Sequence, residues 1–471
     1  MRRLTESEFR EKSLSSNVYL LIIQVGTPLA VFALFASLFS LLDTIMASHI
    51  GTIDVSTVAY MNQLRMILNS IGTGIGTGSM ILINRAYGAG DKAKTNELTN
   101  TLVRLLLILS LIFLLMIPFV PAILRLIKTP EEFISEGAAY FRILITATVV
   151  NFVNLIYINV EKSRGRTGVI LVANLSMMVI KLIFSALFVY VLDKGITYIA
   201  LSTLISYSAC AIYALPHLFD RNSIFCIRPS LVFHTKKGYS KSLLSLSFPV
   251  AVEDSTFSLG KVIVNSIASS YGAEMIGALG ISNNVSGLAA SFENGFSDAS
   301  SSIVSQNYGA GKCRRAIKVY IANIIITFIA SLFALGVLYA FSDKLIPIFA
   351  TSRNGFNAGF METIRRIFIY DSLSCFGIAF NGAGMDFLLG LGKTKVTLVL
   401  NFLKIFVFRI PVLFILQMFI SDGATALGIM MMISNCGVAI PTTLICIHVA
   451  RNLIKEEKLN EIKSSESFTL S

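Results

Sequence analysis

Apolar runs of about 20 residues or more follow one another along almost the whole chain, separated by short polar connections. Read as helices, they fall near residues 18 to 47, 55 to 84, 102 to 126, 134 to 160, 168 to 191 and 196 to 217, and then 243 to 270, 276 to 306, 316 to 341, 360 to 389, 396 to 420 and 424 to 449. At 1.5 Å per residue such runs cross a hydrocarbon layer of about 30 Å, whereas soluble core helices are usually shorter. The pattern predicts an all-α integral membrane protein with twelve transmembrane helices in two homologous six-helix lobes. No stretch between the runs is long enough for a second, extramembrane domain.

The two halves share one plan. A shift of 221 residues lays Pro28 to Gly51 on Pro249 to Gly272 without gaps, so that Pro28 meets Pro249, Ser37-Leu38 meets Ser258-Leu259, and Gly51 meets Gly272. The same shift places RAYGAGDK, Arg85 to Lys92, on QNYGAGKC, Gln306 to Cys313. Further along, Asn174 echoes Asn401 and Gly195 echoes Gly423. The acids break the symmetry, because Asp43 faces Val264 and Glu253 faces Phe32. Residues 1–219 are expected as the N-terminal lobe, 220–241 as a cytoplasmic linker, 242–450 as the C-terminal lobe and 451–471 as a cytoplasmic tail. Six helices return the chain to its starting side, so the lobes would be related by an axis along the membrane normal. Gly72, Gly74, Gly76 and Gly78 lie within a span, with no strand before them and no G-K-[ST] ending, so they read as sites of close helix approach rather than as a phosphate loop.

Composition agrees with the pattern. With 54% hydrophobic and 14% charged residues, 34 Phe and a mean hydropathy of +0.73, the chain has more apolar surface than a soluble domain covers. The polar residues 1 to 16 are unlike a secretory leader, and the first run is read as a retained helix. A net charge of +12 would suit a nucleic-acid binder, but its distribution does not. Lys and Arg gather in alternate connections, including Arg85, Lys92 and Lys94, then Lys162, Arg164 and Arg166, then the linker. By the positive-inside rule those connections and both termini are cytoplasmic. The expectation is a multi-pass plasma-membrane protein, a monomer, whose partners are the lipid bilayer and a small-molecule substrate, with no nucleic acid. The six cysteines are scattered without a C-x-x-C spacing, and no two of the four histidines are placed to share a metal, so no cofactor is expected.

These motifs resemble those of the multidrug and toxic compound extrusion (MATE) family. The resemblance rests on Pro28 followed by LLDTIMASHIG, on GTGSMILINRAYGAGDKAK, FPVAVEDSTFSLGK and QNYGAGK, and on LLGLGKTK at the end of the tenth span. It covers nearly the whole chain. It implies a secondary active antiporter, not an enzyme, that exports amphipathic or cationic small molecules in exchange for protons or sodium by alternating access. A flippase of a lipid-linked saccharide or other anionic headgroup is the alternative on the same fold, suited by Lys181, Lys261, Lys404 and Arg409 if they line the cavity. A membrane enzyme such as a lipid transferase would need an Asp-rich metal motif or a histidine cluster that the chain lacks. A channel suits asymmetric buried acids less well.

Carried over residue by residue, the resemblance makes Asp43 the protonatable group of the first lobe, 15 residues after Pro28. A carboxylate inside a membrane costs several kcal/mol unless it finds a proton, a cation or a polar cavity. The other reading places Asp43 at the outer interface, about 37 Å along the helix from Val18. In the fifth span, where many relatives carry Asn and then Asp, this chain has Lys181 and Ser185. An Asp43 to Lys181 ion pair is one expectation, and a lysine reaching away to the interface is the other. The seventh span holds Glu253 and Asp254, with Lys261 on the same face. The eighth holds Glu293, Asn294 and Asp298, and the tenth holds Asp371, Asn381 and Asp386. Carboxylates beside amide oxygens are hard ligands, suited to protons or sodium rather than transition metals. Glu253 is the leading candidate for the coupling proton or sodium, and Lys404 matches a basic position of the family.

Overall fold

The computed structural model of the protein describes the backbone of residues 5–50, 52–127, 129, 131–234, 236, 238–350 and 358–469, and the side chains of these except 37–50, 52–56, 59, 136, 269, 273, 274, 276, 284, 345–350, 358 and 459–469. Every regular element among the described residues is helical. In chain order they are α1 (Glu6–Ser15), α2 (Val18–Ile50), α3 (Thr52–Ala89), α4 (Lys92–Met116), α5 (Val120–Leu126), α6 (Glu131–Ser163), α7 (Thr167–Ala186), α8 (Ile196–Leu218) and the short α9 (Pro229–Phe233). There follow α10 (Tyr239–Ala268), α11 (Ala273–Gly309), α12 (Cys313–Ala350), α13 (Ala358–Leu373), α14 (Cys375–Gly390), α15 (Thr394–Phe406), α16 (Ile410–Phe419) and α17 (Gly423–Thr469).

Among the described residues nine segments are long and apolar enough to cross a membrane, and the bent pair α13–α14 makes a tenth. The two expected spans outside that set are α10 and α11, and the reason is chemical. Glu253, Asp254 and Lys261 on α10, and on α11 Glu293 and Asp298 together with its many serines, asparagines and glycines, lower the hydropathy of these two helices. With them the fold has its twelve spans, and each of these two polar helices carries three of the candidate site residues.

Several spans depart from the continuous α-helices expected, the fifth by a closing π-helical turn at Leu187–Val191. The third passes through a 3-10 turn at Ile117–Phe119, because Pro118 has no N–H to offer the preceding turn. The tenth bends by 43° where α13 meets α14 at Ser374. The eleventh breaks at 407–409, because Pro411 cannot donate to the Val407 carbonyl and crowds it. At the far end, α17 runs on through the charged tail to Thr469 instead of stopping near 449.

The chain divides into two compact units, Met1–Glu6 with Phe35–Ala86 and Asp91–Val252, and Ser7–Leu34 with Tyr87–Gly90 and Glu253–Ser471. In the first, α6 packs on α4, α5, α7 and α8. The glycine run of α3 serves two faces. Gly72 and Gly76 face Phe152 and Asn159 of α6, while Gly74 and Gly78 face α10, where an added Cβ would lie 2.7 Å from the Ala251 nitrogen and 2.6 Å from the Ser247 nitrogen. Those separations leave no room for a side chain, so the run is a packing device, as the sequence suggests.

The connection after α8 is docked, not loose. Asn96 of α4 donates to the carbonyls of Ile224 and Cys226 at 2.9 and 2.8 Å, and the Arg228 amide donates to Asn100 Oδ1 at 2.8 Å. Beneath it Arg164 is buried between Glu161, which it contacts closely, and Glu6, whose Oε1 lies 2.9 Å away. Glu6 also accepts from the Ser223 hydroxyl and the Ile224 amide. At the exposed edge Lys236 lies 3.2 Å from Glu97, a hydrogen bond that raises the ammonium's pKa above the ordinary lysine value.

In the second unit α11 packs on α12, α13 and α14, and α17 packs on α13 to α16. The start of α2 belongs here. A Cβ on Gly295 of α11 would lie 2.7 Å from the Leu29 carbonyl carbon, so the two backbones meet beside Pro28. The end of α1 is capped by cations, as its carbonyl dipole favours: Arg315 donates to Ser13 and Ser16, and Lys312 to Leu14. An apolar cluster that includes Val264, Leu279, Phe368, Leu413 and Met430 fills the unit on one side. The internal repeat is visible in the backbone. Gly90 and its echo Gly311 both end helices at positive φ, +81° and +73°, as do Gly165 and Gly392 at +69° and +64°.

Candidate functional site

Within the second unit, α10, α11, α13, α14, α15 and α17 enclose a cavity of about 690 Å³. Of the residues singled out in the sequence, Glu253, Asp254, Asn294, Asp371 and Asp386 all line it, as do Lys261, Asn381, Lys404 and Arg409. The spacing on α10 explains the first set. Positions 253, 254, 257 and 261 recur at about one turn, so one face of the helix carries acids, then Phe257, then Lys261.

Glu253 is tied to α15 at two points. The Thr397 hydroxyl donates to its Oε2 at 2.8 Å, and the Asn401 amide donates to its backbone carbonyl at 2.9 Å. Thr397 also lies 2.9 Å from the Thr394 carbonyl. One hydroxyl proton cannot serve both acceptors, and this has a chemical consequence. When Glu253 is ionised, Thr397 donates to it. When Glu253 carries a proton, it can donate to the Thr397 oxygen, whose own proton turns to Thr394. The local geometry therefore accommodates either state of the acid.

Across the cavity Asp371 is buried, 3% exposed, and accepts from the Ser282 hydroxyl at 3.2 Å. Arg409, 4% exposed, donates through Nε to Ser434 at 3.1 Å and faces Asn435 Oδ1 at 3.5 Å, and it lies within electrostatic reach of Asp371. The break between α15 and α16 is what turns Arg409 inward, two residues before Pro411. Asn381 accepts from Thr442 at 2.8 Å. Hydroxyls, amides and carboxylates thus converge here, a donor set fit for a proton, sodium or an organic ammonium.

The remaining expected residues lie elsewhere. Glu293, 2% exposed, is turned away from the cavity, with Ser331 of α12 beside it; that hydroxyl donates to the Thr327 carbonyl at 2.8 Å, and among the described residues neither Glu293 oxygen has a well-formed hydrogen bond. Asp298 is exposed and does not line the cavity. Lys181 is half-buried in the first unit. The side chain of Asp43 lies outside the described residues, and so does the expected Asp43 to Lys181 pair. Among the aromatic side chains, Phe257 lines the cavity, Tyr140 is buried, and Phe292 packs edge-on against Phe296.

Sequence reasoning passed over Thr397 and Ser282. A signal existed for the α15 pair, since Asn401 repeats Asn174 and Thr397 stands one turn before it. No pattern marked Ser282 among the many serines of α11.

The MatE family model matches residues 28–187 and 249–415, one segment in each half. The chain is 26% identical over 317 residues to the probable multidrug resistance protein YoeA of Bacillus subtilis, covering 64% of this chain and 67% of that protein. It is 22% identical over 407 residues to the probable multidrug resistance protein NorM of Thermotoga maritima, covering 85% and 86%. A crystal structure of MATE in complex with MaL6 superposes with a TM-score of 0.89 at 19% identity, over 94% of this chain and 99% of that one.

Proposed function

The chain belongs to the MatE family of multidrug and toxic compound extrusion transporters, and on that premise we propose that it is a secondary antiporter exporting amphipathic, cationic small molecules in exchange for protons or sodium. Similarity to proteins described as probable multidrug resistance proteins supports the export reading. The observation that carries the coupling is Glu253 on the cavity wall, beside Asp254 and bound to a Thr397 hydroxyl that suits either protonation state.

In this reading the ion enters from outside and occupies Glu253 and Asp254, which favours the step that turns the empty carrier inward. A cationic substrate then competes for the same carboxylates and leaves on the opposite stroke. Two like charges on adjacent residues favour the uptake of one positive charge, whichever species brings it. Asp43 would supply a corresponding group in the N-terminal lobe, held by Lys181 until a proton or a cationic substrate displaces the lysine. The protein would work as a monomer in the plasma membrane, with both termini and the docked linker on the cytoplasmic side.

The test is ethidium transport into everted membrane vesicles under an imposed sodium or proton gradient. The proposal expects ethidium to accumulate against its concentration gradient and to stop when an ionophore collapses the driving ion. Ethidium movement that is indifferent to both gradients would refute antiport.

A further inference from the structure

The cavity holds a second charge arrangement that cation exchange leaves unused. Lys261, Lys404 and Arg409 surround one phenyl ring: their charged groups lie 4.8, 5.5 and 5.7 Å from the centroid of Phe257. No two of the three are therefore further apart than about 11 Å. Among the described residues no carboxylate oxygen comes within 4.0 Å of either lysine ammonium, and neither ammonium has a hydrogen-bond acceptor. Arg409 is buried and spends its Nε on Ser434. Among the described residues Asp371 is the acid within reach of Arg409 and Lys404, so it offsets part of the charge and leaves the cluster positive.

Three cations sharing a ring inside a membrane protein repel one another, and the face of Phe257 compensates only weakly. Such a group is stabilised when an anion enters it. The acids Glu253 and Asp254 stand at the other end of the same face, about two turns or ~12 Å back along α10. The cavity is thus polar end to end, negative beside Thr397 and positive around Phe257.

Building on the transporter reading, we propose that Lys261, Lys404 and Arg409 form an oxyanion subsite that receives the carboxylate, sulfonate or phosphate of an amphipathic substrate. The substrate class then extends to zwitterions, whose positive group reaches Glu253 and Asp254, and to organic anions.

The experiment uses full-length protein in nanodiscs and reads equilibrium binding of 5-carboxyfluorescein by fluorescence anisotropy, with ethidium as the cationic reference. We expect Lys261→Gln and Lys404→Gln each to weaken carboxyfluorescein binding by about tenfold, the arginine variants to retain it, and all four proteins to keep binding ethidium, which reports a folded cavity. Repeating the titration in phosphatidylcholine and in phosphatidylglycerol discs separates two sources of the anion. Competition by phosphatidylglycerol identifies a lipid headgroup as the occupant, and equal binding in both discs identifies a free amphiphile. Absence of carboxyfluorescein binding in phosphatidylcholine discs, or equal binding by wild type and both glutamine variants, would overturn the proposal. Because no gradient is involved, this outcome is independent of whether ethidium export is ion-driven.

Discussion

Lys261→Gln should tighten the binding of a cation at the acid end of the cavity. Lys261 lies eight residues beyond Glu253 on one continuous helix, α10, which places the two charged groups about 12 Å apart. A bound monocation beside Glu253 therefore meets one like charge at that distance. Coulomb's law gives a repulsion of roughly 1.4 kcal/mol at an effective dielectric of 20, and about 0.35 kcal/mol if water fills the cavity. Removing it corresponds to about a two- to tenfold gain in ethidium affinity, the larger figure at low salt, where screening over 12 Å is weaker. Anisotropy titrations of ethidium at low and high ionic strength measure this directly. The control is Lys261→Arg, which keeps the charge and should leave affinity within about twofold of wild type. Weaker ethidium binding by Lys261→Gln, or a gain that grows with salt, would refute the electrostatic division of the cavity.

Three further outcomes follow from the packing. Gly78→Ala forces a methyl group against the Ser247 backbone, where the nearest nitrogen is 2.6 Å away, and should cost about 1–3 kcal/mol of stability; Gly168→Ala, with nothing within 4 Å, should be neutral or raise Tm slightly, and fluorescence-monitored melting compares them. Arg164→Gln leaves Glu161 buried with Arg166 3.9 Å away as its remaining charge partner; a loss of about 3–5 kcal/mol is expected, with faster maleimide labelling of the buried linker thiol Cys226 and partial recovery in the Arg164→Gln/Glu161→Gln double variant. Asp422 caps α17 by accepting from the Thr425 hydroxyl and backbone amide, and the hydroxyl bond foremost holds its carboxyl below the ordinary value of 3.8. A depressed pKa stabilises the fold above pH ~3.8 and ceases to do so as pH falls through the folded value, so the Tm deficit of Asp422→Ala should be present at pH 7 and vanish in stronger acid.

The order of helices was legible because each span is a long apolar run, and the repeat was legible because Pro28 and Pro249, like Gly90 and Gly311, keep one spacing. The packing role of Gly74 and Gly78 could be read from their small size alone. What could not be read is rotation about a helix axis. Glu293 and Asn294 are neighbours, yet about 100° of helical rotation sends one into the α11–α12 interface and the other to the cavity. No apolar stripe settles that choice in a helix as mixed as α11. Breaks were equally hidden. Pro411 was visible, but an uninterrupted span was as consistent with hydropathy as the turn at 407–409 that brings Arg409 inward beside Lys404. The cluster around Phe257 comes from helices α10 and α15 and the 407–409 break, which only tertiary packing unites.

The central claim is that Glu253 couples the entry of a cation to export. Its most direct test is proteoliposome transport of ethidium under separate sodium and proton gradients, comparing wild type with Glu253→Gln, a substitution that keeps the shape and a hydrogen-bonding group toward Thr397. The account predicts that wild type responds to one of the two gradients and that Glu253→Gln still binds ethidium but no longer accumulates it under that gradient. Uphill accumulation by Glu253→Gln equal to wild type, under the same ion, would contradict it.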